Sequence, residues 1–204
     1  MFGLLLIAAA ASADYVVYDD FDAATLDMSK WTLATGGSAP TLDASIATFD
    51  SASTTRDILS TTSYGYGSYK FKLGPTAPGS FSIIGLDNAG SGLYVRNDNH
   101  YPATEWDFHV GSIKNSIVAP AAGDELEIVW SATSAQLWKN GNLLVTQTTD
   151  LPAITSANLK LTAYFGGSMT VDSVSANPVP EPSASVVVAT GLIGLLAYAW
   201  RKQR

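Results

Sequence analysis

Along much of the chain, apolar and polar residues alternate with a period of two. Tyr69, Phe71 and Leu73 are interleaved with Lys70 and Lys72, and Leu126, Ile128 and Trp130 with Glu127 and Val129. That period puts the apolar set on one face of a strand and turns the other face to water. Further strands are expected at Tyr15 to Tyr18, Phe81 to Leu86, Leu93 to Arg96, Thr104 to Val110, Leu159 to Phe165 and Met169 to Ser175, separated by Gly, Pro, Asn and Ser clusters. Between Gln136-Leu137-Trp138 and Leu143-Leu144-Val145 sits Lys139-Asn140-Gly141-Asn142. Asn-Gly is the pair a two-residue type I′ hairpin turn wants, because both positions need a positive φ. No long helical period competes before the C-terminal run, so one all-β domain is expected, a sandwich or a barrel.

Composition narrows the partners. The chain has 11 lysines and arginines against 18 aspartates and glutamates, and Arg201, Lys202 and Arg204 lie in the tail. From Asp14 to Pro182 the balance is 8 bases minus 18 acids, or −10. Phosphate binding needs clustered positive charge, so a nucleic-acid partner is disfavoured and neutral sugars or a cation fit better. Without cysteine there is no disulfide framework, thiol nucleophile or thiolate metal site.

The ends carry address-like segments. Residues 1 to 13, MFGLLLIAAAASA, end in the small-x-small pattern of a signal-peptidase site, so a signal peptide cut after Ala13 is expected; a buried first strand is the alternative. From Val186 to Trp200 runs an uncharged, almost wholly apolar stretch of 15 residues. As a helix it would reach about 22 Å, a marginal span of a bilayer core of about 30 Å, with the basic tail held on the cytoplasmic side. Val179-Pro180-Glu181-Pro182, this hydrophobic helix and the terminal Arg-Lys-Gln-Arg resemble, in order, the PEP-CTERM sorting signal of Gram-negative bacteria. The resemblance implies cutting near Pro180, Glu181 and Pro182 by an exosortase-type membrane enzyme. It also implies a membrane-held intermediate, followed by the cell surface or an extracellular biofilm matrix. The organisation expected is a signal peptide (1–13), a β domain (14–176), a linker (177–185) and a transmembrane helix with its basic tail (186–204).

Five stretches in order resemble the concanavalin A-like jelly roll of glycoside hydrolase family 16. They are Asp19-Asp20-Phe21-Asp22 with Ser29-Lys30-Trp31-Thr32, Tyr66 to Leu73, Thr104 to Ser112, Leu126 to Trp130 leading to Leu137-Trp138-Lys139-Asn140-Gly141, and Met169 to Val174. The fold implied is a two-sheet antiparallel jelly-roll sandwich.

Glu105, Asp107 and His109 alternate along one expected strand, so their side chains leave the same sheet face, while Trp106, Phe108 and Val110 point to the other. The family carries E-x-D-x-x-E or E-x-D-x-E there. By that resemblance Glu105 matches the nucleophile and Asp107 the assisting residue, whereas the acid/base position holds His109, or Val110 in the longer register. Retaining hydrolysis needs a second carboxyl about 5 to 5.5 Å from the first, which this motif does not supply, although histidine can act as a general acid. Tyr94 and Arg96 suit stacking on and hydrogen bonding to a sugar ring, and Trp106 joins them as a candidate substrate contact. His100 reads as a loop residue and, with His109, as the weaker of two metal options. Calcium is the other: the resemblance places Asp20, Gly37 and Asp172 at the family's cation site, and hard cations take several oxygen ligands. Three functions stay open: a polysaccharide-binding module, which the missing second glutamate favours, a glucan-type hydrolase, and a matrix protein with a vestigial groove.

Overall fold

The structure, a computed structural model, describes residues 15–34, 36–52, 54–97 and 105–178. The signal segment, His100 and the C-terminal run with Pro180, Glu181 and Pro182 lie outside the described residues. The described chain forms strands and turns, without a helix. In chain order the strands are β1 (Val16–Asp19), β2 (Trp31–Leu33), β3 (Thr41–Asp43), β4 (Ile46–Asp50), β5 (Arg56–Tyr64), β6 (Gly67–Leu73), β7 (Ser82–Asn88) and β8 (Ser91–Arg96). They continue with β9 (Trp106–Val110), β10 (Ile113–Ile117), β11 (Glu125–Trp130), β12 (Ala135–Lys139), β13 (Asn142–Gln147), β14 (Ala157–Ala163) and β15 (Ser168–Pro178).

Two antiparallel sheets result. One runs β13-β12-β11-β6-β15-β4-β3, with β1 also paired to β15; the other runs β10-β9-β8-β7-β14-β5-β2. Each sheet turns its apolar face to the other, as a jelly roll requires. From the first sheet come Tyr69, Phe71, Leu126, Ile128, Leu137 and Val174; from the second come Ile58, Ile84, Val95, Phe108 and Leu161, all fully or almost fully buried. At about 1.5–3 kcal/mol for each such large side chain taken from water, this shared layer is the main source of stability.

The Asn-Gly reading holds. Asn140 and Gly141 have φ of 50° and 75°, and Lys139 pairs with Asn142 across the turn. The strands β2 to β5 and β10 were not anticipated. In β5 the run Ser60-Thr61-Thr62-Ser63 hides a strand whose core contacts, Ile58 and Ser60, come only every second residue and stop half-way. The strand expected to reach Phe165 ends at Ala163, because Phe165 turns to φ 49° and the chain reverses.

Candidate functional site

The outward face of the seven-stranded sheet is polar, and the register shows which residues meet on it. Lys114, His109, Tyr94, Gly85 and Lys160 lie in one row across β10, β9, β8, β7 and β14. Ser116, Asp107, Arg96, Ile83, Thr162 and Asp57 form the next, from β10 to β5. Side chains two apart on a strand share a face, so both rows belong to one surface, and the residues between them feed the core.

Within the first row the rings of Tyr94 and His109 are stacked, with centroids 4.9 Å apart and planes 18° from parallel. Both residues are buried. Gly85 beside them can only be glycine, since a Cβ there would lie 2.4 Å from the Leu93 carbonyl and 2.7 Å from the Tyr94 Cβ. It leaves the platform between Tyr94 and Lys160 without a side chain. Lys160 Nζ reaches the Asp87 carboxylate at 3.1 Å. In the second row Ser116 donates to Asp107 at 3.2 Å and Thr162 to Asp57 at 2.7 Å. The guanidinium of Arg96 lies over the ring of Tyr164, 5.9 Å from its centroid.

The predicted stripe is assembled only in part. Asp107 and His109 share the outward face through their pairing with Arg96 and Tyr94. Glu105 precedes β9 and is exposed. Trp106 needs correction as a sugar contact: it is buried in the core cluster, because alternation turns it inward, and its role is packing. Asp87, Lys160 and Gly85 went unrecognised, since Asp87 and Lys160 are separated by 73 positions in sequence and only sheet pairing joins them.

The residues expected at a cation site are Asp20, Gly37 and Asp172. The β1–β15 pairing ends at Asp19 opposite Val174; Asp20, next in the chain, is exposed and Asp172 is half-buried. Gly37 instead donates its amide to the Ala34 carbonyl at 2.8 Å, and a Cβ on it would meet the Asp57 carbonyl at 3.0 Å. Among the described residues no group of three or more His, Asp or Glu side chains could hold a metal. Asp19, next in sequence, is committed elsewhere: its carboxylate accepts from the Phe21 amide and the Trp31 indole.

Solved structures with this architecture include several glucanases. The β-glucanase of Bacillus licheniformis superposes with a TM-score of 0.62 at 15% identity, covering 82% of this chain and 100% of its own. A β-1,3-1,4-glucanase (lichenase) derived from a mouse hindgut metagenome gives 0.57 at 15% identity, over 79% of this chain and 98% of its own. The catalytic domain of an endo-1,3-β-glucanase (laminarinase) from Thermotoga petrophila RKU-1 gives 0.60 at 11%, over 83% and 100%. The fold is that of the jelly-roll β-glucanases. At such identities the likeness establishes the fold alone. No family model and no curated protein matches the sequence.

Proposed function

We propose that the chain is an exported surface or matrix protein that binds a neutral polysaccharide on the outward face of the seven-stranded sheet. The observation that carries this reading is the pairing of the stacked Tyr94 and His109 with Arg96 and Asp107. Arg96 and Asp107 offer a guanidinium fork and a carboxylate on one surface, backed by the buried ring stack, a mix that can orient a sugar. The structural neighbours named as glucanases support a glycan as the ligand class. The net charge of −10 between Asp14 and Pro182 argues against acidic polymers. By the resemblance, the acid/base position holds His109, or Val110 in the longer register, and neither supplies the second carboxyl of a retaining hydrolase, which favours binding over cleavage.

A polysaccharide array read once for retention and once for new reducing ends tests this reading. Retention without cleavage, weakened by Tyr94→Ala, is the expected result. New reducing ends abolished by Glu105→Gln would instead make the protein a hydrolase with an unusual acid. Absence of both on every glycan would leave a structural matrix role.

Export and sorting complete the proposal: a signal peptide ending at Ala13, then processing at the PEP-CTERM signal around Pro180, Glu181 and Pro182 by an exosortase-type enzyme. Mass spectrometry of surface material from the native host is expected to find no peptide beyond about Ser183, and recovery of intact Arg204 would overturn it. Calcium belongs to the proposal as a stabiliser held by Asp20 and Asp172 with backbone oxygens. Binding only the folded form, it would raise the melting temperature by mass action; equal midpoints in chelator and in millimolar calcium would remove it.

A further inference from the structure

Two residues beyond the second row, the same face ends in a cluster of aromatic rings. Phe81 and Tyr164 lie just outside the ends of β7 and β14, where the Tyr164 amide donates to the Phe81 carbonyl at 3.1 Å, and the Arg96 guanidinium over the Tyr164 ring puts that ring on the outward face. Phe81 and Tyr164 have centroids 5.4 Å apart, and Phe165 packs edge-on to both at 5.7 and 5.2 Å. Phe165 is nonetheless 80% exposed. A large ring so open to water on a folded domain is informative when it is held rigidly.

Its backbone is fixed by hydrogen bonds, and at a cost. Phe81 and Phe165 adopt φ of 58° and 49°, a region that bulky side chains rarely enter and that persists only where the surroundings enforce it. The enforcing contacts are backbone bonds: Gly79 N to Ser168 O at 2.7 Å, Gly167 N to Tyr164 O at 3.0 Å and Ser51 N to Gly167 O at 3.0 Å. Gly167 is locked in place, since a Cβ there would lie 2.1 Å from the Ser80 carbonyl. Among the described residues, the aromatic partners of Phe165 are Phe81 and Tyr164, neither of them in the core cluster.

Resting on the polysaccharide-binding reading, we infer that Phe165, supported by Phe81 and Tyr164, is a second sugar-stacking subsite. It engages a longer neutral glycan whose other rings lie over Tyr94 and Arg96. Continuity decides the occupant. Arg96 touches Tyr164, so the aromatic cluster and the polar platform are one surface. It runs from β9 to β14, three strand spacings or about 14 Å, a span of several sugar rings. An exposed ring offers its π-face to the apolar C–H face of a pyranose, while the platform supplies the hydrogen bonds.

The test uses the full chain and a length series of soluble β-1,3- and mixed β-1,3-1,4-linked glucan oligosaccharides, with affinities measured by calorimetry. Phe165→Asn removes the ring with a residue that tolerates positive φ, and Phe165→Tyr restores an aromatic. Expected is a loss of roughly three- to tenfold with Phe165→Asn for the long oligosaccharides only, recovered by Phe165→Tyr, while the shortest ligands bind as before. Tyr94→Ala should weaken every length. If Phe165→Asn leaves the long oligosaccharides unaffected while Tyr94→Ala abolishes their binding, the subsite is overturned and the binding face stands. If no oligosaccharide binds the unaltered chain, the binding face falls and the subsite with it.

Discussion

Tyr94 and His109, directly opposite each other on β8 and β9, stack ring on ring at 4.9 Å on the polar face of their sheet. A stacked pair that is also buried contributes beyond its area, by about 0.5–1.5 kcal/mol. His109→Ala is therefore expected to lower unfolding free energy by about 1–3 kcal/mol. His109→Phe, which keeps a ring, should lose less than about 1.5 kcal/mol. Urea titrations of the two variants measure this; equal losses would mean that the stack contributes nothing.

Asp19 anchors the first strand to the core. Its carboxylate is buried, accepts from the Phe21 amide at 3.0 Å and from the Trp31 indole, and lies 3.6 Å from Lys30 Nζ. Asp19→Ala strands two buried donors, a change of about 2–4 kcal/mol, whereas Lys30→Ala, at the exposed end of the pair, should cost under about 1 kcal/mol. Thermal melts that rank the two variants the other way would contradict this geometry.

At the β12–β13 turn, Gly141→Ala forces a Cβ into the left-handed region and is expected to cost about 1–2 kcal/mol. Asn140→Ala should cost as much or more. It loses the bond to Asp124 Oδ1 at 2.7 Å and the one accepted from the Glu125 amide at 2.8 Å, along with the residue's tolerance of positive φ. Burial alone would raise Asp124, but the Ala121 amide, the Asn140 amide and Lys139 outweigh it and hold its carboxyl below the ordinary value. A depressed folded pKa stabilises above the unfolded value of about 3.9, and that share is lost as pH falls through the folded value. Asp124→Asn should accordingly flatten the acid limb of a stability–pH curve.

Alkali should unfold the domain. Burial pushes Tyr64 up to about 12, with Tyr18 nearby acting in the same direction, and burial also raises Tyr69, whose hydroxyl donates to the Gly65 carbonyl. The folded form thus keeps protons that an unfolded tyrosine releases near pH 10. The stabilisation is complete below about pH 10 and declines as pH climbs toward the folded values. Denaturant midpoints measured from pH 8 to 12 should fall only above about pH 10, and Tyr64→Phe should soften the decline. A flat profile would refute the assignment.

The parts of this fold that sequence reveals are those whose cause is local. Leu126, Ile128 and Trp130 announce a half-buried strand by their spacing, and Asn140-Gly141 announces a turn by its backbone freedom. Asp107 and His109 were likewise placed on one face by counting in twos. What escaped needed distant partners. The Asp87–Lys160 pair, the glycine that must sit beside Tyr94, and the edge strands β2 and β3 with their three residues each exist only once the sheet has formed. Phe165 reads as one more strand residue until its reversed backbone is seen, which is why a ring so open to solvent passed unnoticed.

Strand β15 leaves the domain from inside its sheet. Its last residues pair with β6 from Ser173 opposite Lys72 to Pro178 opposite Gly67, and on its other side Ala176 faces Val16 at the start of β1. A tether attached after Pro178 therefore transmits tension along the strand axis, where the whole β6 ladder resists sliding at once. Tension between the two ends of the domain acts differently, peeling β1 away one hydrogen bond at a time. The same domain is thus mechanically strong when hung from its C-terminal side against a load on its seven-stranded sheet, and weak when stretched end to end.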